Sequence, residues 1–115
     1  MTIHQKIKTA LASLNIPVKE DFYGGGLEEY ITWTLTRDRA ALIADEKPVN
    51  EVSEVMIHYF LPRNKAYTTT RKSIRQLLLA ADFTWPTVTV IEEPDGKTRH
   101  IVFECEIEND DELEV

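Results

Sequence analysis

His4, His58, His100 and Cys105 are the residues of this chain that could hold a soft or borderline metal ion. No pair of them has the short spacing on one helical face that a zinc enzyme uses. His100 and Cys105 differ in parity along what reads as one strand, so their side chains leave opposite faces of a sheet. No metal site is expected. A lone cysteine also excludes an intrachain disulfide, which fits a reducing compartment. Ser13, Ser53 and Ser73 lack the glycine-rich elbow of a hydrolase nucleophile. Glu104 and Glu106 share a strand face with His100 and could move protons, yet alternating glutamates on an exposed strand serve equally as solvation and edge protection. Gly24-Gly25-Gly26 leads into a strand rather than a helix, so it reads as a hinge or close backbone approach and not as a phosphate cradle. Gly96-Lys97-Thr98 copies the end of a P-loop, but Ile91 stands where that motif needs its first glycine. Neither a catalytic residue nor a cofactor is expected.

The elements that must position these residues follow from hydrophobic period. Ile3, Ile7, Leu11 and Leu14 recur at helical spacing over residues 2–14, and Thr2 with Gln5 supplies a capping box. From Leu27 the period changes to two: Ile31, Trp33 and Leu35 alternate with Tyr30, Thr32 and Thr34 as a half-buried strand. A polar stretch from Thr36 to Glu51, broken by Pro48, separates it from a second strand carrying Val55, Ile57, Tyr59 and Leu61 on one face and stopped by Pro62. On that strand His58, bracketed by Met56 and Phe60, reads as a hydrogen-bonded residue at a semi-buried surface. Residues 68–82 return to helical period through Ile74, Leu77, Leu78 and Ala81, with Thr68, Thr69 or Thr70 able to cap. Val88 and Val90, the turn Pro94-Asp95-Gly96, and Ile101, Phe103, Cys105 and Ile107 make a final hairpin. The expected fold is an α+β two-layer sandwich, α-β-β-α-β-β, with a mainly antiparallel four-stranded sheet and two helices.

With 115 residues, 43% hydrophobic and 29% charged, the chain has the composition of one compact domain, taken as residues 1–108 with an acidic, mobile tail at 109–115. No segment approaches the ~20 apolar residues of a membrane span, and the N-terminus lacks the apolar core of a signal peptide. The net charge of −7 argues against phosphate backbones as principal partners. That charge is segregated. Between Val55 and Ala81 there is no acidic residue, while Arg63, Lys65, Arg71, Lys72 and Arg75 are basic; from Glu104 onward, Glu104, Glu106 and Glu108 open a run with no basic residue. Arg71 and Lys72 are placed in the first turn of their helix, where the macrodipole disfavours cations by about 0.3–1 kcal/mol. One reading is a head-to-tail contact between the basic helix face of one subunit and the acidic strand of the next, which closes into a ring; the other is two solvated patches.

Read as a whole, the chain resembles the small tail-terminator or tail-completion proteins of siphophages and prophages, similar to the lambda-type terminator. The resemblance covers most of the chain. It rests on Gly24-Gly25-Gly26-Leu27-Glu28-Glu29-Tyr30-Ile31-Thr32-Trp33, on Val55-Met56-Ile57-His58-Tyr59-Phe60, on Lys72-Ser73-Ile74-Arg75, on Ala81-Asp82-Phe83-Thr84-Trp85-Pro86, and on Arg99-His100-Ile101-Val102-Phe103-Glu104-Cys105-Glu106-Ile107. The resemblance implies a non-enzymatic α+β subunit of a hexameric ring that caps the tail tube and joins it to the head. Its partners would be other copies of itself, the tail tube protein and the head-tail connector, with at most loose contact to passing DNA and none to membrane. It would assemble in the host cytoplasm and end in the virion. A stopper ring on the head side, or a small cytoplasmic enzyme or regulator using the Glu104, Glu106 and His100 face, are the alternatives. Where Asp82 stands the family pattern leads one to expect glycine at a helix C-terminus.

Overall fold

The computed structural model describes residues 2–20, 25–44 and 47–108, with the backbone alone over 40–44 and 47–50. Its elements are α1 (Ile3–Ala10), a 3-10 turn (Ala12–Leu14), β1 (Val18–Glu20), β2 (Tyr30–Ala44), β3 (Lys47–Pro62), α2 (Thr68–Ala80), β4 (Thr87–Glu92) and β5 (Thr98–Glu108). The strands form one five-stranded sheet in the order β1-β2-β3-β5-β4. β1 runs parallel to β2 and every other neighbouring pair is antiparallel. The class is α+β as expected, but the sheet is mixed and has a fifth strand. Three residues after Pro17 are too few to show a period, and they become a strand only because the backbone of β2 lies beside them.

α1 begins as its sequence dictates. Thr2 accepts from the Gln5 amide while the Gln5 side chain accepts from Thr2, completing the capping box. It is shorter than the periodicity suggests: the α-helix ends at Ala10, Leu11 caps it, and the chain tightens into the 3-10 turn before Asn15 takes a left-handed φ of 56°. α2 starts at Thr68 with Tyr67 as N-cap and no side-chain capping bond, so none of the three threonines caps it. Arg71 therefore stands in the first turn, but Lys72 lies just beyond it. At its other end Asp82 adopts φ 72°, and the Phe83 amide donates back to the Leu78 carbonyl at 3.0 Å. This is the left-handed closure that glycine usually makes.

Both helices contribute to one face of the sheet. Ile3, Ile7, Leu11, Ile74 and Leu78 pack with Ile31, Trp33, Val55, Ile57, Tyr59, Leu61, Ile101, Phe103, Cys105 and Ile107 in a single buried cluster. On β3 and β5 these are the odd-numbered positions, which is the period-2 signal read from the sequence.

The stretch from Thr36 to Glu51 is not a loop. β2 and β3 run on to 15 and 16 residues as a hairpin, with Pro48 inside β3 opposite Ile43. β5 accompanies β3 only as far as Val52, opposite Glu108, so among the described residues the outer part of the hairpin has no sheet neighbour. It projects as an arm, consistent with a longest dimension of 53 Å against 25 and 21 Å. Register shifts at Leu35/Arg37, Ala40/Leu42 and Leu42/Ile43 interrupt the period of two, and Pro48 reads as a break, which is why the stretch reads as a connection in the sequence.

Candidate functional site

The face of the sheet turned away from the helices carries polar and aromatic residues at even-numbered positions. Tyr30 stacks on Phe60 with centroids 4.9 Å apart, and Phe60 stacks on His100 at 4.2 Å. Below this stack four side chains from β2, β3, β5 and the β4–β5 turn are joined in a line. Thr34 Oγ1 lies 3.2 Å from His58 Nε2, His58 Nδ1 lies 2.8 Å from His100 Nε2, and His100 Nδ1 lies 2.9 Å from Glu93 Oε1. One arrangement of protons satisfies the whole line with both rings neutral. His100 Nδ1–H donates to the carboxylate, His58 Nδ1–H donates to His100 Nε2, and the Thr34 hydroxyl donates to His58 Nε2. Burial lowers the pKa of both imidazoles; the charge of His100 lowers His58 further, while the Glu93 carboxylate partly offsets the effect on His100. Tyr30, Thr32, Phe60, Glu93, Asp95 and Thr98 line a shallow cleft of about 330 Å³ beside this line. The reading of His58 as a hydrogen-bonded, half-buried residue holds, but its partner His100 is set by strand register, which the sequence does not state.

A second grouping lies at the base of the arm. Leu35 faces Val55 while Arg37 faces Glu54, so Thr36 is an extra residue, and its hydroxyl donates to the Glu54 carbonyl at 2.8 Å. This bulge reverses the parity of β2. Arg37 and Arg39 thereby join the open face, where Arg37 pairs with Glu54 and Arg39 bridges Glu54 at 3.8 Å and Glu106 at 2.9 Å. On the opposite face the Ser53 hydroxyl, fully buried, donates to Asp38 at 2.6 Å.

The residues singled out for their charge fall in several places. Arg63 pairs with Glu92 at 2.8 Å and Lys65 with Glu29 at 2.7 Å, both near the end of β3 away from the arm. Glu29 also accepts from Tyr59; burial raises its pKa, but the bonds from Lys65 and Tyr59 outweigh that and leave it lowered. Arg75 lies over the Trp85 ring at 4.5 Å and donates to the Pro86 carbonyl at 3.0 Å, which holds the segment after α2. Arg71 is half-buried with no hydrogen bond to its Nε, and Lys72 is exposed on α2. Glu104 and Glu108 are exposed on β5, whereas Glu106 is held by Arg39. Within one subunit the basic helix and the acidic strand do not meet. Arg39, with no part in the sequence reading, is the cation the fold gives to Glu106.

His100, Glu104 and Glu106 do share the open face, but they do not converge. Both nitrogens of His100 are bonded to His58 and Glu93, and Glu106 is bound to an arginine. The Cys105 thiol is buried, its pKa pushed up to about 12 by burial and then by Glu106, which makes it a poor nucleophile. Among the described residues no group of three or more His, Cys, Asp or Glu side chains is placed to hold a metal ion. No helix there is long and apolar enough to cross a membrane. Gly26 has φ 86° with open space around its α-carbon, so its role is conformational freedom and not close approach. Gly24 and the acidic stretch 109–115 lie outside the described residues.

No family model matches the chain, and no curated protein does so either. Among solved structures it is similar to a chain described as "Virion of native gene transfer agent (GTA) particle", with 16% identity, a TM-score of 0.50, and coverage of 91% of this chain and 90% of that one. At that identity the likeness is one of fold, and it extends over nearly the whole of both chains.

Proposed function

We propose that this chain is a structural, non-enzymatic subunit of a phage-like virion. It forms a ring, hexameric as in the tail-terminator proteins it resembles, that caps the tail tube and joins it to the head. The observation that carries this reading is the shared fold with a chain of a gene transfer agent virion over about nine-tenths of each. The arm supports it: a two-stranded projection that β5 does not accompany past Val52 suits contact with a neighbour. The polar groups of the open face satisfy one another rather than converging on a substrate, which favours an assembly surface over an active site. Arg71 and Lys72 of α2 and the exposed Glu104 and Glu108 of β5 lie apart within a subunit, and a head-to-tail ring would bring such patches together. With a net charge of −7, contact with DNA passing through the ring would be loose.

Electron microscopy of particles made after a stop codon replaces Lys6 in the encoding phage or prophage tests this function. Filled heads with separate, overlong tails are the expected result. Heads that lose their DNA beside tails of normal length would move the subunit to the stopper position, and intact virions would remove the virion role altogether.

A further inference from the structure

We infer that the free chain pairs with a second copy of itself through the outer edge of β4, the two strands running antiparallel about a two-fold axis at Val90. That edge is Thr-Val-Thr-Val-Ile-Glu, β-branched through its first five residues, without proline and with its single charge at the last position. It pairs with β5 in unbroken register, so no bulge turns it away. Such an edge lacks the devices that keep strands apart. Among the described residues no strand lies on its outer side, and β1 lies at the opposite edge of the sheet. Glu108 is four residues past Glu104, the partner of Thr87, and so stands about 13 Å beyond the near end of β4. Of the six exposed large hydrophobic side chains among the described residues, three are found here: Trp85, Val90 and Ile91, at 49%, 42% and 41% exposure.

The edge complements a copy of itself. The Glu93 amide donates inward to Thr98, so by alternation the amides and carbonyls of Val88, Val90 and Glu92 point outward. Outward groups must meet outward groups, and setting Val90 opposite Val90 brings Val88 opposite Glu92 on either side of the axis. This register uses every outward amide of β4. Val88 lies opposite Phe103 and Val90 opposite Ile101, which places both on the helix-bearing face, and an axis perpendicular to the sheet keeps that face common to the two copies. Val90 then covers Val90, and on the open face Ile91 lies opposite Thr89. Charge agrees with the same register. Glu92, held by its own Arg63 at 2.8 Å, comes opposite Val88 of the other copy, two residues from the Pro86 carbonyl to which Arg75 donates. A carboxylate and a guanidinium therefore approach each other at both ends of the contact. A two-fold contact closes on itself and stops at two copies. It concerns the free chain and does not depend on the virion role.

Charge complementation at the axis tests the contact. Because Val90 faces itself, Val90→Lys alone and Val90→Glu alone each set like charges directly opposite one another. In sedimentation the parent is expected to pass from monomer to dimer with concentration, each variant to stay monomeric with the circular dichroism and melting of the parent, and an equimolar mixture of the two to regain the dimer. Hydrogen exchange of the parent gives a readout that needs no variant: the amides of Val88, Val90 and Glu92 should slow only at concentrations where the dimer forms, while those of Thr89 and Ile91, bonded to β5, stay slow throughout. A parent that is monomeric at every concentration overturns the inference. So does an oligomer that survives either charge alone, a mixture that stays monomeric, or exchange at Val90 that ignores concentration. The stop-codon particles report on the virion role separately, so either reading can fail without the other.

Discussion

Asp82 closes α2 in a left-handed conformation that costs a residue with a β-carbon more than it costs glycine. Asp82→Gly should therefore raise stability by about 0.5 kcal/mol, read as a higher midpoint in urea, the gain kept small by the extra freedom glycine brings to the unfolded chain. The His58–His100 pair makes a prediction about pH. The unfolded chain takes up protons near the ordinary histidine value of about 6.5, whereas the folded chain, with both values lowered by burial, takes them up only at lower pH. Below about pH 6.5 the unfolded state thus binds more protons, so stability is full near neutrality and falls as the solution is acidified toward the lowered values. A second proton would also set His100 Nε2–H against His58 Nδ1–H and break that bond. Urea midpoints at pH 7.5 and 5.5 should differ for the parent chain and differ much less for His58→Gln; an equal drop in both would detach the effect from this pair.

At the scale of elements, the sheet and its two helices form one packed unit, and the arm is an outgrowth of it. Leu78 is fully buried against the sheet, so Leu78→Ala should cost about 2–5 kcal/mol of unfolding free energy. Past Val52 the hairpin no longer has β5 beside it. Shortening the hairpin by joining Ala40 to Glu51 through an Asn-Gly turn should leave the melting temperature within a few degrees of the parent. The same variant should fail to support assembly. A large loss of stability would show the arm to be part of the core. Arg39→Ala removes exposed ion pairs to Glu54 and Glu106 and should cost less than about 1 kcal/mol.

At the scale of the whole molecule, the proposed assembly makes a prediction about charge. Reversing Arg71 and Lys72 to Glu should weaken self-association and make it less sensitive to salt while the monomer stays folded, because Lys72 is exposed and neither side chain has a described hydrogen bond. Sedimentation at low and high salt measures this; an unchanged oligomer would remove α2 from the contact. Arg75 is a less clean probe, since Arg75→Glu also loses the Trp85 stack, worth about 0.5–1 kcal/mol to the subunit itself.

The sequence by itself determined the class of fold, both helices, four of the five strands and the buried face of β3 and β5, because apolar side chains at period 3.6 or 2 mark the surface a segment must hide. It determined the turn at Asp95-Gly96 and the capping box at Thr2, which are local hydrogen-bond chemistry. The tertiary structure decided what depends on neighbours. β1 exists only because β2 pairs with it, and the arm exists because two strands satisfy each other's backbone. Arg37 and Arg39 reach the open face only through the bulge at Thr36, and Arg39 there occupies Glu106, a residue that sequence alone offered to another subunit. The line from Thr34 to Glu93 is likewise a product of register, since side chains far apart in the chain meet across strands whose alignment no single segment encodes.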